Sequence, residues 1–229
     1  MPDTGTLFSA HIDLAYKVAA VAHARQVRKG TSLPYLAHPV HVARLLERAG
    51  LPEHVVVAGI LHDVLEDLEP TDSATRNRFR EVFPALSEAP PEPAAFLGAL
   101  SAFLSDSFGS LTMDLVEAVT DQKEADGLPI DWLTRKKQRL QHLESASPDV
   151  LALKAADVLH NVNSVLQDLD AFGSVVLKRF NAGPGDTLWY YSRVADICSA
   201  RLQGAPKQLA DELDDAVRRL ASGLGLPRP

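Results

Sequence analysis

The sequence predicts an all-α protein. Apolar residues recur at intervals of three and four along most of the chain, which is the period of an amphipathic helix. No segment shows the sustained alternation of polar and apolar residues that is typical of a half-buried strand. One run, residues 55–61, is apolar on every side, and such a helix belongs in the middle of a packed core.

The composition is that of an ordinary globular protein. A chain of 229 residues, 46% hydrophobic and 23% charged, can bury a substantial core. The formal net charge of −7 argues against nonspecific binding of nucleic acid. Cys198 is the single cysteine, so no intrachain disulfide can form, as is usual in a reducing cytoplasm. We expect a cytoplasmic protein without a membrane partner, because no secretory signal and no apolar run near ~20 residues is evident.

The first three helices are predicted from apolar spacing and boundary residues. The first covers residues 9–27, and a short loop then leads to a second helix over residues 39–49. His38 lies at the entrance of that second helix, because Pro39 suits a first helical turn and keeps the preceding residue out of helical geometry. The third and central helix is predicted as one continuous element over residues 55–67.

The middle of the chain is less regular. Thr71 is a candidate N-cap for a helix over about residues 72–83. Four prolines lie between residues 84 and 93. Residues 84–110 are therefore predicted to be an irregular insertion, with a short helix over residues 94–104. Helical spacing resumes over residues 111–120.

The C-terminal half contains four predicted helices. The first, over residues 132–143, is basic, and such a charge run is usually a solvated face, although one or two of its cations could meet an anionic ligand. The next begins at residues 147–149, where a capping serine, a first-turn proline and an acid follow one another. The last two are predicted at about residues 187–202 and 207–222.

The apolar run 55–61 ends in four ionisable side chains, His62, Asp63, Glu66 and Asp67. On one continuous helix, with about 100° between successive residues, they fall in an arc of roughly 140°. Burying these groups beside a core is unfavourable unless something pairs with them. A divalent metal ion is the simplest single partner for an imidazole and nearby carboxylates, so a metal site is predicted here.

Two distant segments offer further ligands. His38 is presented at a helix entrance, although a loop histidine alone is more often a hydrogen-bonded surface group. On the helix that begins at residue 148, Lys154, Asp157 and Asn161 lie within about 60° of one another. Asp157 stands among apolar neighbours and therefore needs a partner. His160 is expected to point away from this trio and to be structural or exposed.

These signals converge on one candidate metal site made of His38, the pair His62-Asp63, and Asp157. Two imidazoles and two carboxylates suit Mn²⁺, Fe²⁺, Co²⁺ or Zn²⁺, with open positions for water and a phosphate oxygen. An adjacent His-Asp pair alone is weak evidence because chance often produces it. The acids one turn later and the two distant ligands make the pattern specific.

Six short motifs follow one another along the chain. They are AHARQVRK (residues 22–29), PYLAHP (34–39), HDVLED (62–67), VTDQK (119–123), RK (135–136) and KAADVLHN (154–161). In type and order they resemble the HD-domain metal phosphohydrolases, and most of all the hydrolase domain of RelA/SpoT-type alarmone enzymes and their small stand-alone forms. The likeness covers roughly residues 10–200. It implies an HD-domain helical bundle, with a hydrolase domain over residues 1–205 and a C-terminal amphipathic helix and tail over residues 206–229.

The resemblance implies a manganese-dependent enzyme that removes the 3′-pyrophosphate from guanosine tetra- or pentaphosphate. By analogy the metal ligands are His38, His62, Asp63 and Asp157. Glu66 and Asp67 would take part in catalysis, in agreement with the general use of a carboxylate to accept or orient a proton of an activated water. The implied substrate contacts are Arg28, which would pack on the base, and Lys29, Lys123, Lys154 and Asn161.

Departures from the family pattern leave the substrate open. Val158 and Asn163 stand where many relatives carry arginine, and the insertion could reshape the pocket mouth or an oligomer interface, which leaves a homo-oligomer open. One alternative is a hydrolase of another nucleotide, such as an enzyme that removes the 2′-phosphate of NADPH. Another is a catalytically idle protein that senses nucleotides or binds a partner. The presence of all four candidate ligands together with Glu66 and Asp67 argues against the idle protein, because a pure binding module does not need a carboxylate beside an activated water.

Overall fold

The computed structural model describes residues 7–68, 71–121, 123–125, 128–179 and 182–229, so Gln122 of the VTDQK motif lies outside the described residues. The described residues are mainly α-helical, and the predicted all-α class is confirmed.

The α-helices are α1 (Ala10–Ala22), α2 (Ala37–Arg48), α3 (Glu53–Leu61), α4 (Val64–Asp67), α5 (Ser73–Val82), α6 (Pro93–Val119), α7 (Trp132–Ser145), α8 (Pro148–Phe172), α9 (Gly183–Arg201) and α10 (Lys207–Leu224). Short 3₁₀ helices cover Pro84–Leu86 and Gly173–Arg179, and β1 (Glu124–Ala125) pairs antiparallel with β2 (Leu128–Pro129). Strands of two residues are too short to leave an alternating pattern in the sequence.

Helix α8 is the centre of the bundle. It begins as predicted, with the backbone N–H of Val150 donating to the Ser147 hydroxyl at 3.3 Å. Residues 150–159 are buried on every side, because α8 packs against α2, α6, α9 and α10. Lys154 and Asp157 belong to this buried stretch, so both ionisable groups are held at the edge of the core rather than on a solvated face.

The second fully buried helix, α3, packs closely against α2. A Cβ atom built at Gly59 would lie 2.5 Å from Cδ1 of Leu46 and 3.4 Å from Cγ1 of Val42. Glycine therefore permits an approach of the two helices that any side chain would disturb. This approach brings α2, whose first turn carries His38, against the helix that ends just before His62.

The prediction of one continuous central helix over residues 55–67 is wrong. Helix α3 ends at Leu61, His62 and Asp63 form a turn, and α4 is a single turn of four residues. Neighbouring side chains on a regular helix diverge by about 100°. The turn removes that constraint, and Nε2 of His62 lies 3.0 Å from Oδ2 of Asp63.

The prediction of an irregular insertion over residues 84–110 is also wrong. Helix α6 starts at Pro93 and continues to Val119, with a kink at Gly109, where φ is 78° and ψ is 167°. The four prolines all lie at or before the first residue of α6, a position that tolerates proline, so they precede the helix without interrupting it. The buried side chains of its first half recur every four residues, at Phe96, Leu100 and Leu104.

Other boundaries move by a few residues. Helix α1 ends at Ala22, not at residue 27, and Asp72, not Thr71, caps α5 by accepting the backbone N–H of Thr75 at 3.0 Å. By length and composition alone α6 is long and apolar enough to cross a membrane, which the sequence did not lead us to expect, although it packs here on α3 and α8. Helix α10 packs along α8 and α9, and the division at residue 205 stays a prediction.

Candidate metal centre and its clefts

The four predicted metal ligands converge from α2, the α3–α4 turn and α8. Nε2 of His38 lies 3.3 Å from Oδ1 of Asp157 and 3.6 Å from Oδ2 of Asp63. Nε2 of His62 lies 3.0 Å from the same Asp63 oxygen and 4.0 Å from Oδ1 of Asp157. One ligand atom each from His38, His62 and Asp157 lies within 4.8 Å of the other two, and all three residues are buried.

One nitrogen of His62 shows that this group fits a divalent cation. Nδ1 of His62 lies 2.9 Å from the carbonyl oxygen of Gly59, so Nδ1 carries the proton of that hydrogen bond. In the neutral ring Nε2 then has a lone pair that faces the carboxylates, and it is buried without a hydrogen-bond partner. A buried orphan nitrogen in a native protein calls for an explanation, and a cation between it and the carboxylates provides one.

Protons can replace such a cation in the metal-free protein. Burial opposes the charged form of His62, but the adjacent Asp63 carboxylate outweighs burial and raises the pKa of the imidazole to about 9. Burial likewise opposes ionisation of Asp157, yet the Lys154 ammonium holds the pKa of that carboxyl well below its usual range. Metal binding would therefore displace a proton from His62, as is general for imidazole ligands.

His160 contacts the candidate ligand His38, which the sequence did not lead us to expect. Its Nδ1 lies 2.7 Å from Nδ1 of His38, and its ring packs edge-on against that of His41 at a centroid distance of 5.0 Å. Burial and the neighbouring imidazole of His38 lower the pKa of His160 to about 3, so its ring is neutral. The contact leaves Nε2 of His38 directed towards the carboxylates.

Tyr35 is a second supporting residue that the sequence reading missed, although it lies in the PYLAHP motif. Its hydroxyl donates a hydrogen bond of 2.7 Å to Oδ2 of Asp63. Its ring centroid lies 4.9 Å from that of His23 and 5.7 Å from that of His38, and the guanidinium carbon of Arg28 lies 5.6 Å from it. Tyr35 thus joins the candidate ligands to a predicted base contact.

The two predicted catalytic acids lie on α4. Oε2 of Glu66 accepts the backbone N–H of Asp121 at 2.9 Å. Nζ of Lys123 donates to the carbonyl oxygen of Glu66 at 2.8 Å and lies 3.9 Å from Oδ1 of Asp67. Burial, reinforced by the charge of Asp63 and opposed by Lys123, raises the pKa of Asp67 to about 7. Asp67 therefore exchanges its proton near neutral pH, whereas a peptide amide fixes Glu66 in place.

A cleft of about 310 Å³ opens onto the candidate ligands. Three cations line it, Lys29, Lys136 and Lys154, together with Asn161 and the aromatic rings of Trp132, Tyr190 and Tyr191. Asp157 holds two of these residues, since Oδ2 accepts Nζ of Lys154 and Oδ1 accepts Nδ2 of Asn161, both at 2.7 Å. Three of the five predicted substrate contacts, Lys29, Lys154 and Asn161, are thus in its wall.

The other two predicted contacts lie elsewhere. Arg28 lines an adjoining, more apolar cleft of about 410 Å³ with Leu33, Val165 and Val176, and its Nη2 donates to Oδ1 of Asn161 at 2.7 Å. Lys29, Tyr35, Asn161 and Tyr191 border both clefts. Lys123 borders neither, and its ammonium lies against Glu66 and Asp67.

The basic helix α7 faces a buried acid, Asp121, which had no role in the prediction. Oδ2 of Asp121 accepts Nζ of Lys136 at 2.5 Å, and Oδ1 accepts Nε of Arg139 at 3.2 Å. Lys136 also lines the first cleft, with its ammonium 5.0 Å from the ring centroid of Tyr190. The helix is therefore more than a solvated face. Of the described cations of α7, Lys136 lines the first cleft.

Comparison with known proteins shows which proteins this chain resembles. The family model of the HD domain matches residues 15–90. A guanosine-3′,5′-bis(diphosphate) 3′-pyrophosphohydrolase of Aquifex aeolicus is 40% identical over 70 residues, which are 31% of this chain and 10% of that protein. The guanosine-3′,5′-bis(diphosphate) 3′-pyrophosphohydrolase MESH1 of Mus musculus is 31% identical over 150 residues, 64% of this chain and 65% of MESH1. The chain thus spans less than two thirds of the length of either relative.

A solved structure gives the same fold. It belongs to a metazoan ortholog of SpoT described as hydrolysing ppGpp and as playing a role in starvation responses. The TM-score is 0.64 at 22% identity, and the match covers 94% of this chain and 98% of the other. The predicted resemblance is therefore confirmed over residues 15–90, which match the HD domain, and the chain has the all-α fold of the solved structure.

Proposed function

We propose that this protein is a metal-dependent pyrophosphohydrolase that removes the 3′-pyrophosphate from guanosine tetra- or pentaphosphate in the cytoplasm. The observation that carries the proposal is the buried Nε2 of His62, which in the neutral ring has no hydrogen-bond partner and faces two carboxylates and a second imidazole, with Glu66 one turn away. Relatives that match parts of the chain are named as enzymes of this activity, which supports the choice of substrate.

The proposed metal ligands are His38, His62, Asp63 and Asp157, and the proposed cation is Mn²⁺. A mixed imidazole and carboxylate set suits this class of metal. A divalent cation lowers the pKa of a water molecule that it binds and offsets phosphate charge. Around the ligands, Tyr35 holds Asp63, and both Lys154 and Asn161 hold Asp157, so the ligand set is preorganised by hydrogen bonds.

The chain's own acids are proposed to handle the proton. Asp67, with its pKa near 7, can accept a proton at neutral pH and return it to a leaving group. Glu66 is proposed to orient the attacking water, because its carboxylate is held in one position by the amide of Asp121. Lys123 lies beside both acids and limits the repulsion between them and the substrate phosphates.

The two clefts are proposed to receive the two ends of one nucleotide. The first cleft combines the candidate metal ligands with Lys29, Lys136 and Lys154, which suits a chain of phosphates. The second is more apolar and offers the guanidinium of Arg28, which suits a nucleobase. The proposed partner of the two clefts is thus a small nucleotide, and neither a nucleic acid nor a membrane is proposed as a partner.

The experiment is an end-product assay on the Mn²⁺-loaded protein. Guanosine tetraphosphate and NADPH are supplied in parallel, and release of pyrophosphate or orthophosphate is measured. The proposal predicts pyrophosphate from guanosine tetraphosphate and none in EDTA or with His62→Ala. Orthophosphate from NADPH alone would assign the other nucleotide hydrolase, and turnover of neither substrate by protein that holds its metal would favour a sensing protein.

A further inference from the structure

We infer that Arg139 and Asp121 are positioning residues that place the carboxylate of Glu66 for reaction. The inference rests on the proposed function, in which Glu66 acts beside the metal. None of the six motifs assigns a role to Arg139, and it lines neither of the two substrate clefts.

Arg139 fastens the end of α6 to α7. Its buried guanidinium donates to the carbonyl oxygens of Ala118 and Thr120, and Nε and Nη2 donate to Oδ1 of Asp121 at 3.2 and 3.1 Å. Three acceptors within four consecutive residues are thus held by one rigid, planar group. The fork geometry of arginine makes this arrangement possible, and the single ammonium of lysine does not reproduce it.

The segment that Arg139 holds ends at the amide that binds Glu66. The N–H of Asp121 donates to Oε2 of Glu66 at 2.9 Å. Because this donor belongs to the main chain, its position depends on how residues 118–121 are fixed. Glu66 itself lies on α4, whose single turn supplies little rigidity of its own.

The charged groups of this network are buried and paired with one another. Asp121 is 7% exposed in its side chain, as is Arg139, and Lys136 supplies a second cation at 2.5 Å. Burial opposes ionisation of Asp121, but Lys136 and its neighbouring cations keep the pKa of this carboxyl below its usual value. Two close cations hold the buried side chain of Asp121 in place. The main-chain amide of the same residue is therefore also held, and it donates to Glu66.

The test compares conservative variants with a matched control on the same helix. Arg139→Lys and Asp121→Asn keep size and polarity, whereas Lys137→Gln removes a charge from an exposed position of α7. With Mn²⁺ and guanosine tetraphosphate, we expect kcat to fall on the order of 10- to 100-fold in the first two variants. KM and the Mn²⁺ stoichiometry of Arg139→Lys should stay close to those of the wild type, and Lys137→Gln should keep its kcat. Because Arg139→Lys loses buried hydrogen bonds, its melting temperature should fall, and kcat is therefore measured well below that temperature.

A second measurement does not depend on activity. In the wild type, Glu66→Gln should shift the ¹H–¹⁵N resonance of the Asp121 amide, and in an Arg139→Lys background the same change should shift it much less. The inference would be overturned if kcat of Arg139→Lys were unchanged, or if kcat and Mn²⁺ binding fell equally. It would also be overturned if Glu66→Gln left the amide resonance of Asp121 unshifted in the wild type. If the wild type hydrolyses no substrate, the proposed function fails, and the resonance shifts still decide whether Arg139 and Asp121 position Glu66.

Discussion

Nδ1 of His160 lies 2.7 Å from Nδ1 of His38, so a neutral imidazole stands directly behind a candidate metal ligand. A ligating histidine is commonly held in one orientation and one tautomer by a partner on its second nitrogen. His160 supplies that partner from α8, the helix that also carries Asp157. The same helix therefore contributes a ligand and the support of another ligand.

Replacement of His160 by alanine should weaken metal binding without abolishing it. Loss of a supporting partner commonly costs about 10- to 100-fold in metal affinity, and a rise of that size in the Kd for Mn²⁺ is expected in calorimetric titration. His142→Ala, on an exposed position of α7, is the control and should bind as the wild type does. Equal affinity in both variants would show that His160 does not support His38.

Tyr35→Phe should lower metal affinity through Asp63. The substitution removes only the hydroxyl that donates to Oδ2 of Asp63 and leaves the ring contacts in place. We expect the Kd for Mn²⁺ to rise about 10-fold. Tyr16→Phe removes a hydroxyl from α1, outside the candidate site, and serves as the matched control. A Tyr35→Phe protein that binds Mn²⁺ as tightly as Tyr16→Phe would contradict this role.

His62→Ala and Glu66→Ala should separate metal binding from turnover. His62→Ala removes a ligand and should lose bound metal and activity together. Glu66→Ala should retain the metal while kcat falls on the order of 100-fold or more, because only the carboxylate beside the reacting water is missing. Metal content by emission spectroscopy and pyrophosphate release are measured on the same samples. Full activity of Glu66→Ala would mean that its assigned role is wrong.

The stability of the metal-free protein should depend on pH through Asp67. Its folded pKa of about 7 exceeds the ordinary value, so the folded state binds the extra proton and this contribution to stability is lost as pH rises to 7. Asp67→Asn lacks this titration. The variant should therefore gain stability over the wild type from pH 5 to pH 8, by on the order of 1 kcal/mol or more. Urea unfolding in EDTA measures the difference, and a constant difference across this range would refute the assignment.

The sequence was sufficient to predict that the candidate ligands converge, because they belong to local patterns. The Ser147 cap and the apolar spacing of α8 place Lys154, Asp157 and Asn161 on one face, and the structure joins those three side chains by hydrogen bonds. The helix break at His62 was not predictable in this way, since residues 61–64 contain no glycine or proline to mark it.

The supporting contacts were missed because they join residues far apart in the chain. Arg139 and Asp121 are 18 positions apart, and His38 and His160 are 122 apart. A basic helix gives no sign that one of its cations will be buried on main-chain carbonyls. The insertion was misread for a related reason, since its prolines are more conspicuous than the four-residue spacing of Phe96, Leu100 and Leu104 that follows them.

The most direct test of the account is the location of Mn²⁺ by anomalous diffraction from a crystal of the metal-loaded protein. The account predicts one strong peak at about 2.2 Å from Nε2 of His38, Nε2 of His62 and a carboxylate oxygen of both Asp63 and Asp157. A protein that binds Mn²⁺ elsewhere, or with Asp157 or His38 outside the coordination sphere, would contradict it.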